Sequence, residues 1–374
     1  ILKLYDDLTV EWSRTIGGPG VDQARAIKQL SSGDLLILSY TSLGEIGSYD
    51  TKVYRLDASD GSEMWSATLG TSDWDLTVDM EVIDDKAFLL SKSYGLPGSN
   101  GHLLMHVIDE SGNLLNEVTV SGLNEMDPMD LAVYQDSLYM SYSVLNEDGS
   151  SNLHLDKFDS QLNTIWQTIV NATDLLHYSA GGMDISEYGV GMAASVFSTQ
   201  TEQSSERFLR FNPITGTLEV EVTELLEGQQ YGKALAWYND VALMLCHTDA
   251  TYGAGGTGAL VEVRYFEGNW FNATVFGGEL DEIPEGILKD SQSRVLIWGS
   301  TFSYGNGTEE MMLIRLPNNT INNDLEVTVT TYEDALFTDI EEEFFLNQIY
   351  INQTGNQLSF DTSEQVALVE IYDL

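Results

Sequence analysis

Cysteine occurs once in these 374 residues, at Cys246, which excludes an internal disulfide framework and any cysteine-based metal cluster. Cations are almost as scarce. Sixteen Lys and Arg stand against 59 Asp and Glu, a net charge of −43 that repels nucleic acid and anionic membrane surfaces. No apolar run approaches the roughly 18 residues needed to span a bilayer. No segment sustains a 3.6-residue period, and the best helical candidate, DALFTDIEEEFF (334–345), has no stop signal. The chain contains no G-x-S-x-G, H-E-x-x-H or P-loop motif. Its first residue is Ile1 with no signal sequence, as expected of a processed or trimmed chain. At 43% hydrophobic it is too apolar for a disordered acidic tail, so it should fold.

What the chain does have is a repeat. Trp12, Trp65, Trp166 and Trp270 open related segments, WSRTIGG, WSATLG, WQTIV and WFNATVFGG, and Leu115 and Leu218 fill the gaps at spacings of 50 to 53 residues. Each unit continues with an acid, a half-apolar stretch, a strongly apolar run such as KAFLLSKSY or VALMLCHT, and an alternating segment such as TKVYRLD or LHLDKFD. A short turn then leads back to the tryptophan segment. Alternation over four to eight residues, punctuated by Gly, Asn, Asp and Ser, reads as β-strand. Four antiparallel strands in about 50 residues match one blade of a β-propeller. The expected fold is therefore all-β. Seven blades are expected over 1–374, with six blades plus a small C-terminal β piece as the alternative, and the N-terminal strand at residues 9–16 closing the ring. The blades are expected over 1–331, with residues 332–374 forming a last blade or a separate β segment.

The repeat segments RLDASDGSEMWSATLG (55–70) and RFNPITGTLEV (210–220) resemble the tandem β-propeller repeats of secreted bacterial proteins and, more distantly, quinoprotein blades. The tail IYINQTGNQLSFDTSEQVALVEIYDL (349–374) is similar to the start of the sorting domain of Bacteroidota type IX secretion substrates, through Tyr350, Asn352, Thr354, Leu358 and the strand 369–374. Ile351 and Gln353 replace two prolines usual in that pattern. The resemblance implies an extracellular or cell-surface bacterial protein.

The acids that follow the tryptophan segments, Asp22, Asp73, Asp75, Asp127, Asp130 and Asp281, recur with the repeat and should gather at one end of the fold. They offer two readings: a shared Ca²⁺ site of hard oxygen ligands, or carboxylates that each accept backbone hydrogen bonds in their own turn. No compact D-x-D-x-D-G run is present, which favours the second. The repeated tryptophans are a sugar platform or, as expected here, packing between blades. His102 and His106 lie four strand residues apart, about 13 Å, too far to share a metal. Cys246 and His247 are strand neighbours facing opposite ways, which disfavours a catalytic pair. GAGGTG (253–258) reads as a hairpin tip, because no helix follows to bind a phosphate.

With no catalytic or cofactor-binding residue assigned, the expectation is a non-enzymatic exported propeller, a structural or adhesive surface module, possibly part of an appendage. Its expected partners are other surface proteins, copies of itself or polysaccharide. The alternative is a secreted enzyme on a propeller scaffold, a quinone-dependent dehydrogenase or a polysaccharide-active hydrolase. A channel mouth with convergent, desolvated acids and a base would favour the enzyme, and a shallow solvated ring would not.

Overall fold

The computed structural model describes residues 1–5, 10–18, 20–42, 46, 48–96, 101–120, 124–172, 176–222, 228–249, 257–265, 270–276, 280–303, 310–316, 328–332, 343–344 and 367–368, and every regular element among them is a β-strand. At the N-terminus β1 (Leu2–Leu4) pairs with β2 (Val10–Ser13). Strands β3 (Asp22–Gln29), β4 (Leu35–Thr41), β5 (Asp50–Leu56) and β6 (Glu63–Leu69) form an antiparallel four-stranded sheet in sequence order. So do β7 (Asp75–Ile83), β8 (Lys86–Ser93), β9 (His102–Ile108) and β10 (Leu114–Val120). The next set is β11 (Met126–Tyr134), β12 (Ser137–Leu145), β13 (Ser151–Phe158) and β14 (Thr164–Val170), with β15 (Leu176–Ser179) touching β13 in parallel at one residue pair.

The plan continues with β16 (Met183–Ser186), β17 (Gly189–Ser198), β18 (Gln203–Phe211) and β19 (Leu218–Val222). After them come β20 (Gln230–Tyr238), β21 (Val241–Thr248), β22 (Gly258–Tyr265) and β23 (Trp270–Phe276). The last full set is β24 (Glu282–Lys289), β25 (Val295–Thr301), β26 (Glu310–Leu316) and β27 (Thr328–Tyr332). The seventh set expected over 333–374 lies outside the described residues except where β28 (Glu343–Phe344) pairs with β29 (Ala367–Leu368).

The chain divides into two compact units, one built on residues 12–180, the other on residues 2–11 and 181–373. In the first unit the second and third strands of each sheet are buried on both faces, and every residue of β9 is buried. That explains why KAFLLSKS and HLLMHVI read as near-continuous apolar runs: a strand covered on both sides gains nothing from alternation. The cores lie between successive sheets. Leu36, Leu38 and Val53 pack against Met80, Ala87, Leu89 and Ile108, while Leu90, Leu103 and Met105 pack against Leu131, Leu138 and Met140. The fourth strands are the exposed edges, with Leu114 to Glu117 of β10 all exposed. In the second unit Phe208, Leu235, Trp237 and Met244 form the corresponding core.

Two of the repeat tryptophans, Trp12 and Trp65, pack between repeats as expected. Trp12 is buried and donates its indole N–H to the Ala58 carbonyl at 3.1 Å, and Trp65 does the same to Glu110 at 3.1 Å. Each ring lies on a turn glycine of the following repeat, Gly61 or Gly112. Pairing of residues 9–16 with a strand of the C-terminal third is not displayed among the described residues. Strand β2 takes β1 as its partner, with Lys3 Nζ 3.0 Å from Glu11 Oε1 across the pair, and no closed ring is defined among the described residues. In the second unit the N-terminus meets the C-terminal third by packing instead of pairing: Leu2 is buried with Leu313, and Leu4, Leu296 and Trp298 pack against them.

Candidate functional site

The first strand of a sheet carries the same irregularity in five repeats. A β-bulge interrupts the register between Ala24 and Ala26, Thr77 and Asp79, Pro128 and Asp130, Gly232 and Ala234, and Pro284 and Gly286. A bulge adds one residue, bends the strand and re-aims the side chains that follow it. In the first unit β3, β7 and β11 lie side by side, so the residues just past their bulges are brought together.

Two charged side chains meet there, and two more act on them through their charge. Lys28 Nζ lies 2.7 Å from Glu81 Oε1, the two residues standing 53 apart in sequence. Asp79 accepts the Leu131 backbone N–H at 2.9 Å and so ties β7 to β11. Asp130, the residue after the bulge of β11, contributes its negative charge to the environment of Lys28. Burial disfavours the Lys28 ammonium, but Glu81, Asp79 and Asp130 outweigh it and hold the amine above its ordinary range. Burial, seconded by the charge of Asp79, pushes the Glu81 carboxyl up, against the pull of Lys28. The Lys28 shift follows from one cation standing among three acids, whereas the Glu81 shift follows first from burial. The result is a half-buried glutamic acid that keeps its proton to higher pH than an exposed carboxyl does.

Of the six acids singled out in the sequence, Asp130 alone belongs to this group. Asp22 and Asp75 fold the preceding loop onto themselves: Asp22 Oδ2 accepts the Gly18 N–H at 2.6 Å, and Asp75 Oδ2 accepts the N–H of Thr71 and, at 2.9 Å, its hydroxyl. Asp73 accepts the Trp74 N–H at 2.9 Å. Asp127 is 2.9 Å from Lys92 Nζ, which Glu125 also binds at 2.8 Å. In the second unit Asp281 accepts the Thr257 N–H at 2.9 Å. The turn-capping reading is thus what Asp22, Asp73 and Asp75 display. Among the described residues no group of three or more His, Cys, Asp or Glu is arranged to hold a metal ion, so the structure does not assemble the six into a Ca²⁺ site.

The remaining candidates separate. His106 Nε2 faces Glu117 at 3.2 Å, and burial lowers its pKa. Cys246 is buried in the core of the second unit while the His247 ring lies against Tyr231, so the two form no catalytic pair. Residues 253–256 of GAGGTG lie outside the described residues. Sequence reading missed Lys28, Asp79 and Glu81. It also missed a row of aromatic rings at the opposite end of the first strands: Tyr40, Tyr49, Trp74 and Tyr94, each in edge contact with the next at 5.8, 5.3 and 6.5 Å.

No protein-family model and no curated protein matches this chain. Solved structures do. The α-L-arabinofuranosidase Arb93A of Fusarium graminearum aligns at TM-score 0.52 and 10% identity, covering 81% of this chain and 94% of that one. An apocarotenoid oxygenase/RPE65 chimera aligns at 0.46 and 11%, covering 76% and 68%. The subtype N10 neuraminidase-like protein of A/little yellow-shouldered bat/Guatemala aligns at 0.45 and 10%, covering 75% and 91%. The first of these likenesses shows the fold: a β-propeller-like arrangement of four-stranded antiparallel sheets. The expectation of a non-enzymatic structural or adhesive module is corrected here. The solved structure that shows the fold is described as an α-L-arabinofuranosidase, which favours the alternative, an enzyme on a propeller scaffold. Sequence reading failed on this point because it searched for contiguous motifs, whereas the charged group draws one or two residues from each of three repeats.

Proposed function

We propose that this protein is a hydrolase of neutral polysaccharide built on a propeller scaffold. The observation that carries the reading is the convergence of Glu81, Asp79 and Asp130 around Lys28 on adjacent first strands, with Glu81 held above the ordinary carboxyl range. Glycosidic bonds are cleaved between two carboxyl groups of unlike protonation, one giving a proton to the leaving oxygen and the other acting as nucleophile or base. Glu81 takes the first role in this reading and Asp130 the second. Lys28 orients Glu81, and the backbone N–H of Leu131 fixes Asp79 beside it. The fold neighbour described as an arabinofuranosidase in complex with an iminosugar makes arabinose-containing polymers the first substrates to try.

The sheets are the blades of the propeller, seven when residues 333–374 supply the last. The enzyme works outside the cell in this reading, which the resemblance of the tail supports.

The test is release of reducing sugar from a panel of neutral polysaccharides beginning with arabinan. The wild type is expected to hydrolyse at least one of them, with a rate that falls as pH rises through the raised Glu81 titration. Glu81→Gln is expected to lose the activity while melting within a few degrees of wild type. A panel with no hydrolysis, or an active Glu81→Gln protein, overturns the reading.

A further inference from the structure

Trp74 is 47% exposed, yet it is not loose. It sits between Tyr49 and Tyr94, at 5.3 Å and 70° to the first ring and 6.5 Å and 81° to the second, so two edge contacts fix its plane. Its backbone is fixed as well. The Trp74 carbonyl accepts the Tyr94 N–H at 2.8 Å, the Tyr49 carbonyl accepts the Asp75 N–H at 2.8 Å, and Asp75 ties down Thr71. Gly95 allows this close approach: a Cβ there would overlap the Thr71 hydroxyl and lie 2.9 Å from the Asp73 nitrogen. Tyr40 extends the row at 5.8 Å from Tyr49, with the exposed Arg25 guanidinium 5.5 Å from its ring centroid. A large ring held rigid in water forgoes the stability that burial gives and keeps a preorganised apolar surface available.

We infer that the row Tyr40–Tyr49–Trp74–Tyr94 is a binding surface for neutral polysaccharide, separate from the Glu81 group. Six or seven residues of β7 divide Trp74 from Glu81, about 20 Å at strand rise, so one monosaccharide does not reach both. The occupant follows from rings and charge together. Aromatic faces suit the C–H faces of sugar rings, and the polar rim is ready to meet hydroxyl groups: Asp73 is exposed beside Trp74, and Glu125 and Asp127 are 44% and 64% exposed beside Tyr94. Lys92 at that end is already shared by those two acids at 2.8 and 2.9 Å, and the exposed Arg25 guanidinium stands at the Tyr40 end of the row, so the acids outnumber the cations. In a chain of net charge −43 this rim repels uronate- or sulfate-bearing chains and leaves uncharged ones. The inference goes beyond the hydrolase reading, because binding here needs no chemistry at Glu81.

Affinity electrophoresis in native gels containing arabinan, xylan, dextran or polygalacturonate tests it, with Glu81→Gln run beside the wild type so that hydrolysis does not erode the probe. At least one neutral polymer is expected to retard both proteins equally, and polygalacturonate is expected to retard neither. Trp74→Ala should weaken the retardation at least tenfold without moving the melting temperature. Gly95→Ala, which displaces the loop while removing none of the four rings, should weaken it as well. No retardation by any neutral polymer, an unaffected Trp74→Ala protein, or retardation by polygalacturonate equal to that by the neutral chains overturns the inference. Binding without hydrolysis sinks the enzyme reading alone, and hydrolysis without Trp74-dependent binding sinks this one alone.

Discussion

Lys28 and Glu81 occupy the same place in successive repeats, and their side chains meet at 2.7 Å across two neighbouring first strands. Aligned on Asp22 and Asp75, each stands six residues into its strand, past a bulge at the same position. The repeat therefore joins one copy of a position to the next copy of itself. Further contacts span 52 to 54 residues: Asp79 to Leu131 and Ser31 to Asp85 in the first unit, and Asp184 to Trp237 in the second.

Removing the cation should show what it compensates. Lys28→Met leaves Glu81 facing Asp79 without a counter-charge, in a setting between an exposed pair and a buried one. The expected loss of stability is about 1–2 kcal/mol at neutral pH. Glu81 then holds its proton to higher pH, so the loss shrinks on acidification, and the double variant Lys28→Met/Glu81→Gln should recover part of it. Denaturation at pH 5 and pH 8 checks this. A loss independent of pH would assign Lys28 to packing alone.

Asp156 supplies a second pH dependence, with a sign opposite to that of an ordinary paired carboxylate. The residue is fully buried between strands, with Oδ2 accepting the Tyr142 hydroxyl at 3.1 Å and the Gln167 amide at 2.8 Å. Its other oxygen, Oδ1, has no hydrogen-bond partner among the described residues. Burial pushes its pKa up to about 6 from an ordinary 3.8, with the two hydrogen bonds opposing. The folded protein thus holds a proton that the unfolded chain releases. The group's favourable contribution is complete below pH 4, is lost as pH rises to about 6, and leaves a cost on the order of 2–3 kcal/mol above that. Asp156→Asn keeps the shape without the ionisation. Relative to wild type it should gain stability steadily from pH 4 to pH 7, and parallel curves for the two proteins would refute the assignment.

How much of this was legible follows from the period. Strand order, the edge position of the tryptophans and the two-face burial of runs such as KAFLLSKS are properties of one repeat, and a 50–53-residue spacing displays them six times over. The turn caps were legible for the same reason, since Asp22 and Asp75 act within five residues of themselves. The Lys28 group was not, because its members come from three different repeats and Lys28 and Glu81 are of unlike type at equivalent positions. An alignment of the repeats on their first strands stacks Lys28 over Glu81 and Asp79 over Asp130, and that stacking was the available signal. Trp74 escaped because it breaks the repeat: Val21 stands at its place in the preceding unit and Glu125 in the following one. The partner of residues 9–16 was not legible because strand pattern says nothing of partner choice, and among the described residues β2 pairs with β1.

Two turn glycines separate backbone strain from packing. Gly33 (φ +92°) and Gly61 (φ +69°) both lie in the left-handed region, where a side chain is strained. A Cβ on Gly33 would meet nothing within 4 Å, whereas on Gly61 it would lie 2.7 Å from carbons of the Trp12 ring and from Arg14 Cγ. Gly33→Ala should therefore cost the backbone term alone, about 1 kcal/mol. Gly61→Ala should cost that and a further 1–3 kcal/mol of overpacking, because the buried Trp12 ring is pinned through its hydrogen bond to Ala58 and has little room to withdraw. A double-mutant cycle isolates the second part. In a Trp12→Ala background the ring is gone, and the cost of Gly61→Ala should fall toward that of Gly33→Ala. Equal costs for the two glycine substitutions in the wild-type background would mean that the tryptophan does not bear on the following repeat's turn, and that the recurrent Trp-on-Gly contact is not what sets the 50-residue period.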